Sequence, residues 1–187
     1  MNDEINDLNK NNSFIETIKK HKSLVITSFI LLFLIIFSYF IYQEYKKNVI
    51  EDISDNFNKA LILIQKNKND QAYKILNDVI NENNNFYSVS ALNLIVEKDL
   101  IKDKNEILKK FDYVITKINL DKETKNLVIF KKILFIGEDI DESMLLDNLK
   151  PIIQSNSVWK STVSNYIKKY YLSKKEYIKA KEFNSSK

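Results

Sequence analysis

The sequence predicts an all-α protein with one transmembrane helix near its N-terminus and about four stacked helical hairpins behind it. Three observations carry this expectation. An uncharged apolar run from Leu24 to Tyr42 has the length of a membrane span. The rest of the chain repeats apolar residues at three-and-four spacing, in segments joined by short polar links. Finally, the 187 residues include one Gly and one Pro, where average usage gives about 13 and about 9. Tight β-hairpin turns and Gly-rich phosphate loops are thereby nearly excluded, and helices joined by Asn-rich links remain.

The span is read from LVITSFILLFLIIFSYFIY, whose nineteen residues give about 28 Å at 1.5 Å each, against a hydrocarbon core of about 30 Å. Lys19, Lys20, His21 and Lys22 flank one end and Lys46 and Lys47 the other, with Tyr39, Tyr42 and Tyr45 at the level of an aromatic belt. A cleaved secretory signal would have a shorter apolar region and a small-residue cleavage site, which Phe37-Ser38-Tyr39-Phe40 does not supply. Leu24 and Tyr42 are thus the expected anchor ends. Lys10, Lys19, Lys20 and Lys22 precede the span, and Lys46, Lys47 and Lys59 follow it closely. This slim bias favours a cytoplasmic N-terminus. The tail before the span is polar, and Ser13 with Glu16 could open a capped helix there.

Behind the span, Ile53, Phe57, Ala60, Leu61 and Ile64 share one helical face, in a helix ending near Lys66. Asp70 is the expected N-cap of a second helix, on which Ala72, Ile75, Leu76, Val79 and Ile80 line one face. A third, with Phe86, Val89, Leu92, Ile95 and Val96, is expected to run to about Ile101. The fourth carries Ile107, Leu108, Phe111, Val114, Ile115 and Ile118. Asp121 caps a fifth through Leu127, Phe130 and Leu134, which Gly137 ends in a left-handed conformation. A sixth starts at Asp141, buries Met144, Leu145 and Leu149, and bends or breaks at Pro151. After Ser155-Asn156-Ser157, a closing pair places Val158, Trp159, Val163, Tyr166, Ile167 and Tyr170 on one helix and Tyr177, Ile178 and Ala180 on the other.

Helical hairpins repeated at this length belong to stacked-repeat folds, in which no unit buries its face alone. The first unit fits the tetratricopeptide pattern. Ala60 and Ala72 lie twelve apart, as do the small residues where that repeat's helices cross, and Leu63, Leu76 and Val79 occupy its larger packing positions. The expected organisation is a polar tail over 1–22, an anchor over 23–42, a tetratricopeptide-like domain over 43–183 and a disordered terminus over 184–187.

This arrangement resembles the ancillary subunit family of the bacterial SecYEG translocon (YfgM-type). The likeness covers nearly the whole chain. It rests on the span followed by QEYKKNVIEDISDNFNKAL, on FYSVSALNLIVEKDLIKDKNEILKKFDYVI, and on LKPIIQSNSVWKSTVSNYIKKYYL, where the polar turn before Trp159 resembles the start of the family's closing hairpin. Ser90 and Ile95 stand where the family tends to have alanines, and Asn or Lys replaces the usual Gly of the repeat turns. The resemblance implies an inner-membrane protein with its C-terminal domain in the periplasm, associated with the translocon channel and with periplasmic chaperones.

No catalytic pattern is expected. His21, the single histidine, sits in the Lys-rich flank of the span. Glu138, Asp139, Asp141 and Glu142 lack the alternating ligands, central Gly and distal Glu of a calcium loop and read as a solvated helix start. There is no cysteine, no nucleophile-elbow serine and no phosphate loop, so neither a cofactor nor a metal is expected. All 29 basic residues other than histidine are lysine, and without the arginine fork a nucleic-acid role starts at a disadvantage. Charge is polarised: the stretch from Lys160 onward has eight lysines against Glu176 and Glu182. That end could meet acidic partner surfaces or anionic headgroups, or form a solvated helix face. The expected role is a membrane-anchored, non-enzymatic adaptor. Tyr73, Tyr87, Tyr113 and Lys74 are candidate contact residues and equally candidate solvent-facing fillers. A tetratricopeptide scaffold for envelope or cytochrome assembly, and a self-associating structural membrane protein, are the alternatives; the span lacks a small-xxx-small pattern with Gly.

Overall fold

The computed structural model describes residues 22–137 and 140–183. Everything in those segments that is regular is helical: α1 (Lys22–Gln65), α2 (Asn69–Asn81), α3 (Tyr87–Glu97), α4 (Lys104–Lys117), α5 (Lys122–Ile136), α6 (Glu142–Ile153), α7 (Lys160–Ser173) and α8 (Tyr177–Glu182). The chain divides into two compact units, Met1–Glu51 and Asp52–Lys187. The expected tail features at Lys10, Ser13, Glu16, Lys19, Lys20 and His21, together with Glu138, Asp139 and the 184–187 terminus, lie outside the described residues.

In the first unit, α1 is long and apolar enough to cross a membrane. Leu24, Phe33, Phe40 and Tyr42 are all more than half exposed, as a helix apolar on every face must be when nothing packs on it. Thr27 Oγ1 donates to the Ser23 carbonyl at 2.9 Å, so its one hydroxyl proton is satisfied within the helix. Neither Leu24 nor Tyr42 is a helix end. Helical structure runs through both, and the apolar stretch ends by composition alone.

In the second unit the core is drawn from one face of each helix, beginning with Ile53 and Ala60 at the end of α1. Ala72, Leu76, Val79 and Ile80 line α2; Ile107, Phe111 and Val114 line α4. Helices adjacent in the chain pack against each other from α2 to α8. Side-chain bonds reach one helix further. Tyr73 on α2 pairs with Glu106 on α4, Asn93 on α3 with Lys131 on α5, and Glu142 on α6 with Lys179 on α8, at sequence separations of 33, 38 and 37. These are hairpin-length separations, so successive hairpins sit in similar register.

Helix starts and stops follow local chemistry. Asp103, Asp121 and Asp141 cap α4, α5 and α6, the first two each accepting from two backbone N–H groups of the first turn and Asp141 from that of Met144. Asp70 is not the cap of α2: the position before the helix is Lys68, which makes no side-chain cap, and Asp70 lies in the first turn, where its charge faces the positive end of the helix dipole. Helix α3 stops at Glu97, short of Ile101, because Asp99 turns to φ +51° and Leu100 N–H closes back on the Ile95 carbonyl at 3.1 Å. Gly137 ends α5 with φ 73° and ψ −139°, a positive-φ stop outside the left-handed helical well. Pro151 does not break α6, which continues to Ile153. Met144, expected in the core, is 43 % exposed, whereas Leu145 and Leu149 are fully buried.

Candidate interaction surface

Helices α3, α5 and α7, the first members of the last three hairpins, lie side by side. Lys131 Nζ on α5 donates to Asn93 Oδ1 on α3 at 2.9 Å, and the rings of Phe130 on α5 and Tyr166 on α7 meet edge to face at 5.5 Å. Their exposed sides leave open grooves. One of about 500 Å³ between α5 and α7 is walled by Leu134, Tyr166 and Tyr170, with Lys169 and Lys174 on its rim. A second of about 380 Å³ between α3 and α5 is walled by Val96, Phe111 and Phe135, with Lys131 and Glu97 beside them, and shares Leu134 with the first. A third lies at the opposite ends of α3 and α5, against Phe86, Val89 and Asp121.

In the first groove Tyr170 Oη donates to the Ile140 carbonyl at 3.4 Å. Burial raises the phenol of Tyr166 above its ordinary value, with Tyr170 adding to the effect. Burial does the same for Tyr170, reinforced by the negative field of Glu142, Glu176 and Asp141. Lys174 Nζ lies 5.7 Å from the Tyr170 ring centroid, a cation–π distance. Glu97 in the second groove is engaged by Lys98 at 3.0 Å.

Of the residues singled out in the sequence, Ala60 and Ala72 are wholly buried, as are Leu76 and Val79, while Leu63 is half-buried. Trp159 is half-buried at the start of α7, where its indole Nε1 donates to the Glu123 carbonyl at 3.1 Å. Tyr73 bonds Glu106 and lies under Lys110, Tyr113 donates to Asn83 Oδ1 at 2.9 Å, and Tyr87 packs on Phe57. Tyr73 and Tyr87 therefore join helix to helix and Tyr113 joins α4 to the link after α2; Lys74 alone of that group is exposed. Asp141 and Glu142 are a helix cap and a helix tether: Glu142 accepts from Tyr171 Oη at 2.9 Å and from Lys179 at 2.7 Å.

The role of Leu134 as a groove floor was missed from sequence, though a signal was present. From Leu127 to Ile136, α5 is apolar around most of its circumference, more than one buried face requires. Such a helix has neighbours on several sides or an open apolar surface, and α5 has both. Compared with protein-family models, curated proteins and solved structures, the chain matches none.

Proposed function

We propose that this chain is a membrane-anchored, non-enzymatic adaptor whose second unit is a tetratricopeptide-like solenoid that binds another protein. In this reading the apolar part of α1 crosses the bacterial inner membrane, with the N-terminus in the cytoplasm and the helical domain in the periplasm. The protein is an ancillary translocon subunit, joining the channel to periplasmic chaperones. The observation that carries the binding role is the row formed by α3, α5 and α7: hairpin-spaced bonds hold the helices in register and leave apolar grooves along one row. Repeat folds use such rows as extended binding surfaces. The anchor is supported by the length, composition and exposure of α1. The translocon assignment rests on the sequence resemblance and on the slim lysine bias around the span.

Photocrosslinking in native membranes, from probes at Tyr42 and at Leu134, tests both halves. Adducts with the translocon channel and with a periplasmic chaperone are the expected result. Adducts with other envelope-assembly proteins would remove the translocon role, and adducts only between copies of this chain would replace the adaptor with a self-assembling scaffold.

A further inference from the structure

The groove between α5 and α7 has features that specify a class of occupant. Its floor is Leu134, 46 % exposed, and its wall is formed by the rings of Tyr166 and Tyr170. Its rim is cationic: Lys169 and Lys174 are exposed and neither pairs with a carboxylate among the described residues. Of the lysines between helices, Lys132 pairs with Asp112 and Lys179 with Glu142 and Glu176, while Lys131 in the second groove donates to the neutral Asn93 amide. The second groove, sharing Leu134, repeats the apolar floor with Val96 and Phe135, and its Glu97 lies at the α3 end. Adjacent grooves in a row of packed helices are about 8–10 Å apart, which matches the rise of about 9 Å over one three-residue turn of a polyproline II segment, where side chains i and i+3 share a side.

Resting on the adaptor reading, we propose that this double groove binds an acidic segment of the partner protein in the polyproline II conformation, with two apolar side chains three residues apart and carboxylates at the end lying over α7. The apolar residues fill the two floors across Leu134. The carboxylates meet Lys169 and Lys174, the two lysines on the rim of the first groove. A membrane surface is the less fitting occupant, because a lipid headgroup leaves the concave floor of Leu134 and Tyr166 unfilled.

The full chain in zwitterionic nanodiscs can be titrated, by fluorescence anisotropy, with a labelled synthetic peptide of two leucines three residues apart among aspartates. A peptide with lysines in place of the aspartates serves as control. The aspartate peptide should bind the native chain, and Lys169→Glu with Lys174→Glu should weaken it by about tenfold or more while favouring the lysine peptide. Leu134→Ser should weaken both peptides. Both lysines are exposed, so an unchanged circular dichroism melt confirms that the double variant folds. Equal affinity of native and double variant, or no binding by the native chain, overturns the proposal. So does capture of phosphatidylglycerol vesicles through the two lysines without peptide binding. Crosslinks to a partner from Tyr42 or α2, with these negative results, would leave the adaptor standing and remove only the groove.

Discussion

At Glu142 one carboxylate ties three helices together. It belongs to α6, accepts from Tyr171 Oη of α7 and forms an ion pair with Lys179 of α8. The Lys179 ammonium, followed by the Tyr171 hydroxyl, holds its carboxyl below the usual range. Burial and this bond push the Tyr171 phenol up to about 12. A carboxylate with a lowered folded pKa stabilises the fold above its unfolded pKa, about 4.3, and that contribution disappears as pH falls through the folded value. Protection of the α8 amides, measured by hydrogen exchange, should therefore fall on acidification below about pH 4.3. In Glu142→Gln it should be low already at neutral pH and respond little to acid; identical profiles would show that the tether is idle. Ser88 is a second such residue, fully buried, with Oγ donating to the Ile80 carbonyl at 3.0 Å. Ser88→Ala should lower stability in urea by about 1 kcal/mol, and Ser90→Ala, at a half-buried site without that bond, by clearly less. Neither role was legible in the sequence: the Glu142 partners lie 29 and 37 residues away and the Ser88 partner lies across a turn on the preceding helix, pairings that have no periodic signature.

Helix ends follow a different rule from the one glycine would have supplied. Asn67, Asp99 and Lys175 take φ values of 57°, 51° and 63°, and in each case the next N–H closes back onto the helix, from Lys68 to Leu63, Leu100 to Ile95 and Glu176 to Tyr171. These are Schellman closures without glycine. Asn tolerates the left-handed well; Lys strains there, at a cost of about 1 kcal/mol. Lys175→Gly should accordingly raise the urea midpoint and Asn67→Gly leave it nearly unchanged; the reverse order would refute this reading of the turns. The Asn-rich links were legible as turns in the sequence. The early stop of α3 was not, because an Asp at φ +51° is decided by the fit of Leu100 into the core, where it is 6 % exposed. At the start of α7, Glu123 accepts from Ser157 Oγ at 2.6 Å and Val158 N at 3.1 Å, beside the Trp159 indole bond. Glu123→Ala should loosen this turn and shift the emission of the single tryptophan to the red. An unchanged spectrum would mean that packing on the Trp159 ring holds the turn without the carboxylate.

Over the whole chain, periodicity placed the helices well and their exposed faces poorly. Phe86, Val158 and Ile178 fit apolar faces in the sequence yet are 65 %, 74 % and 81 % exposed; Phe86 and Val158 lie before the first residues of α3 and α7, and Ile178 lies on the short α8. A helical wheel reports which residues share a face; whether another helix covers it depends on the stack. The same ambiguity applies to the apolar part of α1, which is long and apolar enough to cross a membrane. Its Leu, Ile, Phe and Val residues each favour the bilayer by about 0.3–0.6 kcal/mol, whereas a central lysine opposes insertion by about 2.5–3.5 kcal/mol. Two central lysines thus offset most of what the segment contributes, and one does not. Phe33→Lys alone should leave the chain in the membrane fraction after alkaline extraction and flotation, and Phe33→Lys with Leu34→Lys should release it. The core of the second unit begins at Ile53, so the released protein should keep a cooperative helical melt. Retention of the doubly substituted chain in floated membranes would show that something other than this helix holds it there.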